Sequence, residues 1–152
     1  MAIQRLLTGF LLRQPKAVAA VWFGMFALGA SSGMFLLPVL KRSFVDCLLY
    51  LVLPSLSGAL AGYFSGWQVL VTNGTRGSLR VAGRGLAVVL EGFVIFSLLF
   101  TASYALLVEP QQNPIAFFVS TLTIGVLATG PIVFPTGTLA ATLLFRLGRS
   151  LQ

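Results

Sequence analysis

Few residues in this sequence are equipped for chemistry, and Glu91 is the only carboxylate clearly inside a long apolar run. A carboxylate within a membrane-crossing helix is by default a functional group: a proton relay, a cation site or a salt-bridge partner for another subunit. Its depth argues for a milder role. Counted from Gly85 at ~1.5 Å per residue, it lies about 9 Å below the cytoplasmic boundary, where its side chain reaches the edge and meets Arg84. The chain has no histidine, which removes His-ligated haem, His-based zinc or copper, and any triad using imidazole as base. Cys47 is the only cysteine, so no intrachain disulfide forms. With one inward carboxylate and one cysteine, acid–base or metal chemistry lacks its usual parts. An enzyme is therefore the least favoured class; no catalytic residue, metal or cofactor is expected.

Three prolines interrupt apolar segments. Pro54 removes the amide that would bond the Tyr50 carbonyl, and Pro131 does the same for Leu127, with Pro135 one turn further on. Freed carbonyls in hydrocarbon need donors, and the hydroxyls of Ser55, Ser57, Thr129 and Thr136 stand nearby. Broken helices with free carbonyls also form ion and substrate sites, although kinks that serve packing explain these positions with less. The segment Gly130–Gly137, with two prolines and two glycines, is expected to kink or break the last span.

The most specific pattern is structural. Gly58, Gly62 and Gly66 recur every four residues, lining one helix face so that another backbone can come close. Gly29 and Gly33, with small residues between them, are the expected complement in the preceding span. Such a glycine zipper either packs two spans of one chain together or docks a neighbouring subunit, pigment or lipid.

These features sit in a chain that is 57% hydrophobic and 9% charged, with a mean hydropathy of +0.97. A soluble exterior needs roughly a quarter of its residues charged, so a lipid exterior is expected. The composition fits an all-α integral membrane protein with four transmembrane helices at about 17–40, 44–71, 86–108 and 115–146, arranged as two antiparallel hairpins. The apolar residues of the first span alone favour insertion by roughly 3 to 6 kcal/mol. Residues 1–15 carry Ile3, Leu6, Leu7, Phe10 and Leu11 at helical spacing and fit a short interfacial amphipathic helix. Trp22 and Trp67 lie near span ends, where aromatic belts form. The stretch Thr72–Gly85 is polar and glycine-rich, and its glycines argue against a stable helix.

Arg5, Arg13, Lys16, Arg76, Arg80, Arg84, Arg146 and Arg149 fall on one side of this layout, with only Lys41 and Arg42 on the other. That bias places both termini in the cytoplasm. The net charge of +7 then belongs to orientation and to anionic lipid headgroups; no RNA- or DNA-binding motif accompanies it, so no nucleic-acid partner is expected. The function class this supports is a non-catalytic accessory, assembly or scaffold subunit of a larger membrane complex, packing through small-residue faces. A bound lipid, quinone or pigment is compatible with that, and the sequence selects none. The alternative is a small transporter or channel using Glu91 and the proline-broken helices.

Overall fold

The computed structural model describes residues 14–39, 45, 48–70, 77–107 and 113–150, without the side chains of 34–39, 48, 77, 78 and 150. Every described residue except Gln14 and Asn113 is helical. The first helix, α1 (Pro15–Val39), starts at a proline, whose missing N–H would have had no helical partner there. The second, α2 (Leu48–Leu70), alternates π-helical Leu48–Val52 and Gly62–Gly66 with α-helical Leu53–Ala61 and Trp67–Leu70. The third, α3 (Gly77–Leu107), has 31 residues and the last, α4 (Pro114–Ser150), has 37. Asn113 caps α4: its Oδ1 accepts from the Ala116 amide at 3.1 Å, with Pro114 in the first helical position.

Among the described residues, three helices are long and apolar enough to cross a membrane: Leu49–Leu70, Leu79–Leu107 and Pro114–Arg149. At ~1.5 Å per residue α3 runs about 46 Å and α4 about 55 Å, well beyond a hydrocarbon layer of ~30 Å.

Close backbone approach at small residues sets the packing. A Cβ placed on Gly58 would lie 2.6 Å from Ala27 Cβ and 2.9 Å from the Phe23 carbonyl oxygen; one on Gly62 would lie 2.5 Å from the Ala19 carbonyl oxygen. Gly66 would meet the Phe23 ring at 2.8 Å, and Gly24 on α1 meets Ala59 at 3.1 Å. The π turns of α2 explain how glycines four apart stay in line. Four residues overshoot an α turn by about 40°, whereas a π turn, bonded i to i+5, is wider. Mixing the two carries Gly58, Gly62 and Gly66 along one face. Higher residue numbers on α1 meet lower ones on α2, so these contacts run antiparallel.

A second glycine seam joins α3 to α4. A Cβ on Gly85 would stand 2.8 Å from Ala141 Cβ and 3.1 Å from the Gly137 carbonyl oxygen, and Gly137 faces Val89. The four helices meet in a core of Ala19, Phe23, Ala61, Val69, Val81, Val88, Ala140, Ala141 and Leu144. Across that core the Trp22 indole N–H donates to the Ala140 carbonyl at 2.9 Å. Trp22 therefore ties α1 to α4. A carbonyl with two lone pairs accepts such a bond without leaving its helix.

Three expectations need correction. Residues 77–85, assigned to a non-helical polar stretch, form the first turns of α3. Each glycine there costs about 1 kcal/mol in helix propensity, and the Gly85 seam together with the Arg84 side chain, which donates to the Gln68 carbonyl, offsets it. Of the kink or break expected at Gly130–Gly137, the break is not found: α4 is α-helical from Pro114 to Ser150 with Pro131 and Pro135 inside it. Membrane helices tolerate interior prolines where the freed carbonyls can find donors outside their own ladder. Gly29 and Gly33 are exposed, and a Cβ on either would meet nothing within 4 Å among the described residues; Ala19, Phe23 and Ala27 face the α2 glycines. The interfacial helix at 1–15, with Arg5 and Arg13, lies outside the described residues apart from Gln14 and Pro15, as do Lys41, Arg42, Cys47 and Arg76.

Candidate functional site

Glu91 is half-buried between α3 and α2, where it accepts a hydrogen bond from the Ser65 hydroxyl. Ser65 belongs to the π-helical segment Gly62–Gly66, so the widened turn of α2 presents the donor. Arg84 turns instead to the Gln68 carbonyl, at the end of α2 where helix carbonyls lack amide partners. A cation there also meets the negative end of the helix dipole. The carboxylate and the arginine thus both brace α3 against α2. A half-buried carboxylate stripped of its donor loses about 1 kcal/mol. Ser65→Ala is expected to lower the unfolding free energy in an SDS titration by that amount, whereas Glu91→Gln, which keeps an acceptor oxygen, changes it by less than about half as much.

Lys16, Arg80, Arg84, Arg146 and Arg149 gather at one end of the bundle. Lys16 Nζ stands 5.7 Å from the ring centres of both Tyr63 and Trp67, a cation–π contact at the end of α2. Arg149 lies 5.2 Å from the Phe145 ring, and Gly148 approaches Leu70. Among the described residues the opposite end carries no cation.

The proline sites differ in detail from the expected arrangement. Ser55 donates to the Leu51 carbonyl at 2.7 Å and Ser57 to Leu53 at 2.7 Å, while Thr129 donates to Gly125 at 2.7 Å. Thr136 is shared between Ile132 and Val133, and Thr138 between Phe134 and Pro135. Each hydroxyl bonds back along its own helix, a common habit of Ser and Thr in helices, and not to the Leu127 carbonyl singled out from the sequence.

Among the described residues, a chamber of about 600 Å³ is lined by all four helices. α1 contributes Phe26, Ala27 and Ala30, α2 contributes Tyr50, Pro54 and Gly58, α3 contributes Val88, Gly92, Phe96, Phe100 and Tyr104, and α4 contributes Phe117, Gly125, Ala128 and Gly137. Small residues on every wall leave the space, and aromatic rings define one end of it. Phe100 lies 6.2 Å from Phe117 at 16° and 6.0 Å from Tyr104 at 28°, with Phe96 and Tyr50 at 5.5 and 6.0 Å. The lining includes Ile124, itself 65% exposed, so the chamber has an opening on the flank of α4.

No family model, curated protein or solved structure matches this chain.

Geometry alone therefore ranks the candidates. The Gly58–Gly66 and Gly85–Gly137 faces are occupied by helices of the same chain and Glu91 is held by Ser65, which leaves the chamber as the concave site able to receive a ligand. It was not anticipated from the sequence. Its signal was the series Phe93, Phe96, Phe100 and Tyr104, spaced three and four apart beside Gly92 on α3, which counts as ordinary apolar bulk until the other three walls are known. Among the described residues no three His, Cys, Asp or Glu side chains come together to hold a metal.

Proposed function

We propose that this chain is a four-span, non-catalytic membrane subunit that packs within a larger complex, with both termini on the cytoplasmic side. The fourth span in this reading is α1, whose 25 residues give about 37 Å of helix. The antiparallel order of its contacts with α2, and of α3 with α4, supports two hairpins. The gathering of five cations at the end shared by the start of α1 and the end of α4 supports the orientation.

The observation that carries the partner is the outer face of α4. Only 6% of its most apolar window is buried, against 33% and 28% for α2 and α3. On that face Pro131 and Pro135 are both exposed. Pro131 has no amide to offer the Leu127 carbonyl, and Pro135 has none for the Pro131 carbonyl. The nearby threonine hydroxyls are committed to other carbonyls. Backbone acceptors that lose their amide donors in hydrocarbon cost several kcal/mol unless another donor arrives, and a neighbouring helix with polar side chains supplies one.

A photo-crosslinking residue at Leu127 or Ile132 tests this in native membranes. Discrete adducts with another polypeptide are expected from both positions and none from Leu90, an exposed position on α3. Adducts with lipid alone would remove the partner face.

A second reading, a small transporter working through Glu91, draws on the placement of that carboxylate against Ser65 between two helices. Glu91→Gln separates the two. Loss of cation- or proton-coupled flux in proteoliposomes favours transport, and unchanged crosslinking with no flux in either form favours the packing subunit.

A further inference from the structure

We propose that the chamber between the four helices binds a long isoprenoid chain, one that reaches past the middle of the bilayer. The inference rests on the four-span placement and needs no partner subunit.

Size comes first. Protein interiors are close-packed and seldom hold voids larger than a water, whereas about 600 Å³ falls within the ~300–1,000 Å³ of small-molecule sites. Hydrocarbon laid along such a lining gains dispersion contacts with it.

The walls define the chemistry. Ser31, Ser57, Thr129 and Thr136 all border the space, yet each donates its proton to a carbonyl of its own helix. Those four donors are consumed; Tyr50, Tyr104, Ser120 and Thr121 line the aromatic end, so hydrogen-bonding groups are few along the rest of the wall and the occupant is one that asks for few hydrogen bonds. The rings of Tyr104 and Phe117, at 28° and 16° to Phe100 and 38° to each other, make a polarizable aromatic end for a slender unsaturated chain. Alanine and glycine on the other walls leave notches for methyl branches.

Length decides between kinds of chain. The lining extends along α3 from Val88 to Tyr104, about 24 Å, and along α4 from Phe117 to Gly137, about 30 Å. One leaflet is about half of the ~30 Å hydrocarbon core, so a phospholipid tail would fill only part of the chamber. An extended isoprenoid, whether a conjugated polyene or an unconjugated polyprenyl chain, fills it.

The test uses the full chain, purified in mild detergent and offered three probes separately: β-carotene, solanesol and dioleoylphosphatidylcholine. Native mass spectrometry then reads the retained mass. One equivalent of β-carotene or solanesol is expected, held at least about tenfold more tightly than the phospholipid; which of the two is preferred tells a conjugated from an unconjugated occupant. Gly92→Leu and Gly125→Leu are the blocking variants. A Cβ at either meets nothing closer than 3.8 and 3.7 Å, so the new side chain has room at its root and enters the chamber. Each is expected to cut retention about tenfold with elution unchanged. Phospholipid held as well as or better than both isoprenoids, no retained isoprenoid, or retention untouched by both variants would overturn the proposal. Because the wild-type probe comparison stands alone, a variant that fails to fold does not rescue it, and crosslinking from Leu127 reports on the partner face whatever the chamber does.

Discussion

Gly62→Leu is expected to separate α1 from α2. The atom in its way is the Ala19 carbonyl oxygen, 2.5 Å from the new Cβ, with the Ala19 carbonyl carbon and Phe23 Cβ both at 3.0 Å. A flexible side chain could swing aside from such a contact; a backbone carbonyl inside a helix cannot. Overpacking a core that can shift costs about 1–3 kcal/mol, and here the whole of α1 must move, opening the contacts of Gly58 and Gly66 with it. A loss above about 3 kcal/mol in SDS unfolding follows, or no folded species at all. Gly29→Leu and Gly33→Leu provide the contrast, since both positions are open, and each is expected to stay within about 0.5 kcal/mol of the parent. Equal damage at Gly29 and Gly62 would refute the assignment of the seam.

The seam between α3 and α4 predicts the next largest effect. At Gly85 a Cβ would approach Ala141 Cβ at 2.8 Å, the Gly137 carbonyl oxygen at 3.1 Å and Thr138 Cα at 3.2 Å. Two of those three atoms are backbone, so Gly85→Leu is expected to cost about 3 kcal/mol, the upper end of overpacking. Two residues earlier the sign reverses. Gly83 is exposed, helical and without a neighbour within 4 Å of a Cβ, so Gly83→Ala should stabilise by about 0.5–1 kcal/mol through reduced chain entropy. Thermal or SDS titration of both variants checks the pair. A destabilising Gly83→Ala would mean that α3 does not begin near Gly77.

These glycines also show what could be read without a structure. Gly58, Gly62 and Gly66 were legible as a contact face because spacing alone puts them on one side of a helix. The opposing surface was not. Gly29 and Gly33 have the right composition, but which side of α1 turns toward α2 depends on all the contacts α1 makes, including the Trp22 bond to Ala140 on α4. Local propensity misplaced the start of α3 for a related reason: the glycines of 77–85 weaken an isolated helix, and Gly85 is required only once Gly137 and Ala141 are known to lie against it. The prolines of α4 gave a local argument for a break that packing and neighbouring turns outweigh. Glu91 was placed on its helix correctly but matched to Arg84, whereas its hydroxyl partner comes from a π turn of α2 that no simple periodicity announces. The chamber was the least legible feature, because each of its walls is unremarkable alone and only four helices together enclose it.

The packing-subunit reading is tested most directly by purifying the chain from its own membranes in mild detergent and weighing it by native mass spectrometry. A stoichiometric complex with at least one other polypeptide is the expected result, and its companions would identify the pathway served. A chain that emerges alone, or only with copies of itself, would contradict that reading and shift attention to flux through the bundle and to Glu91.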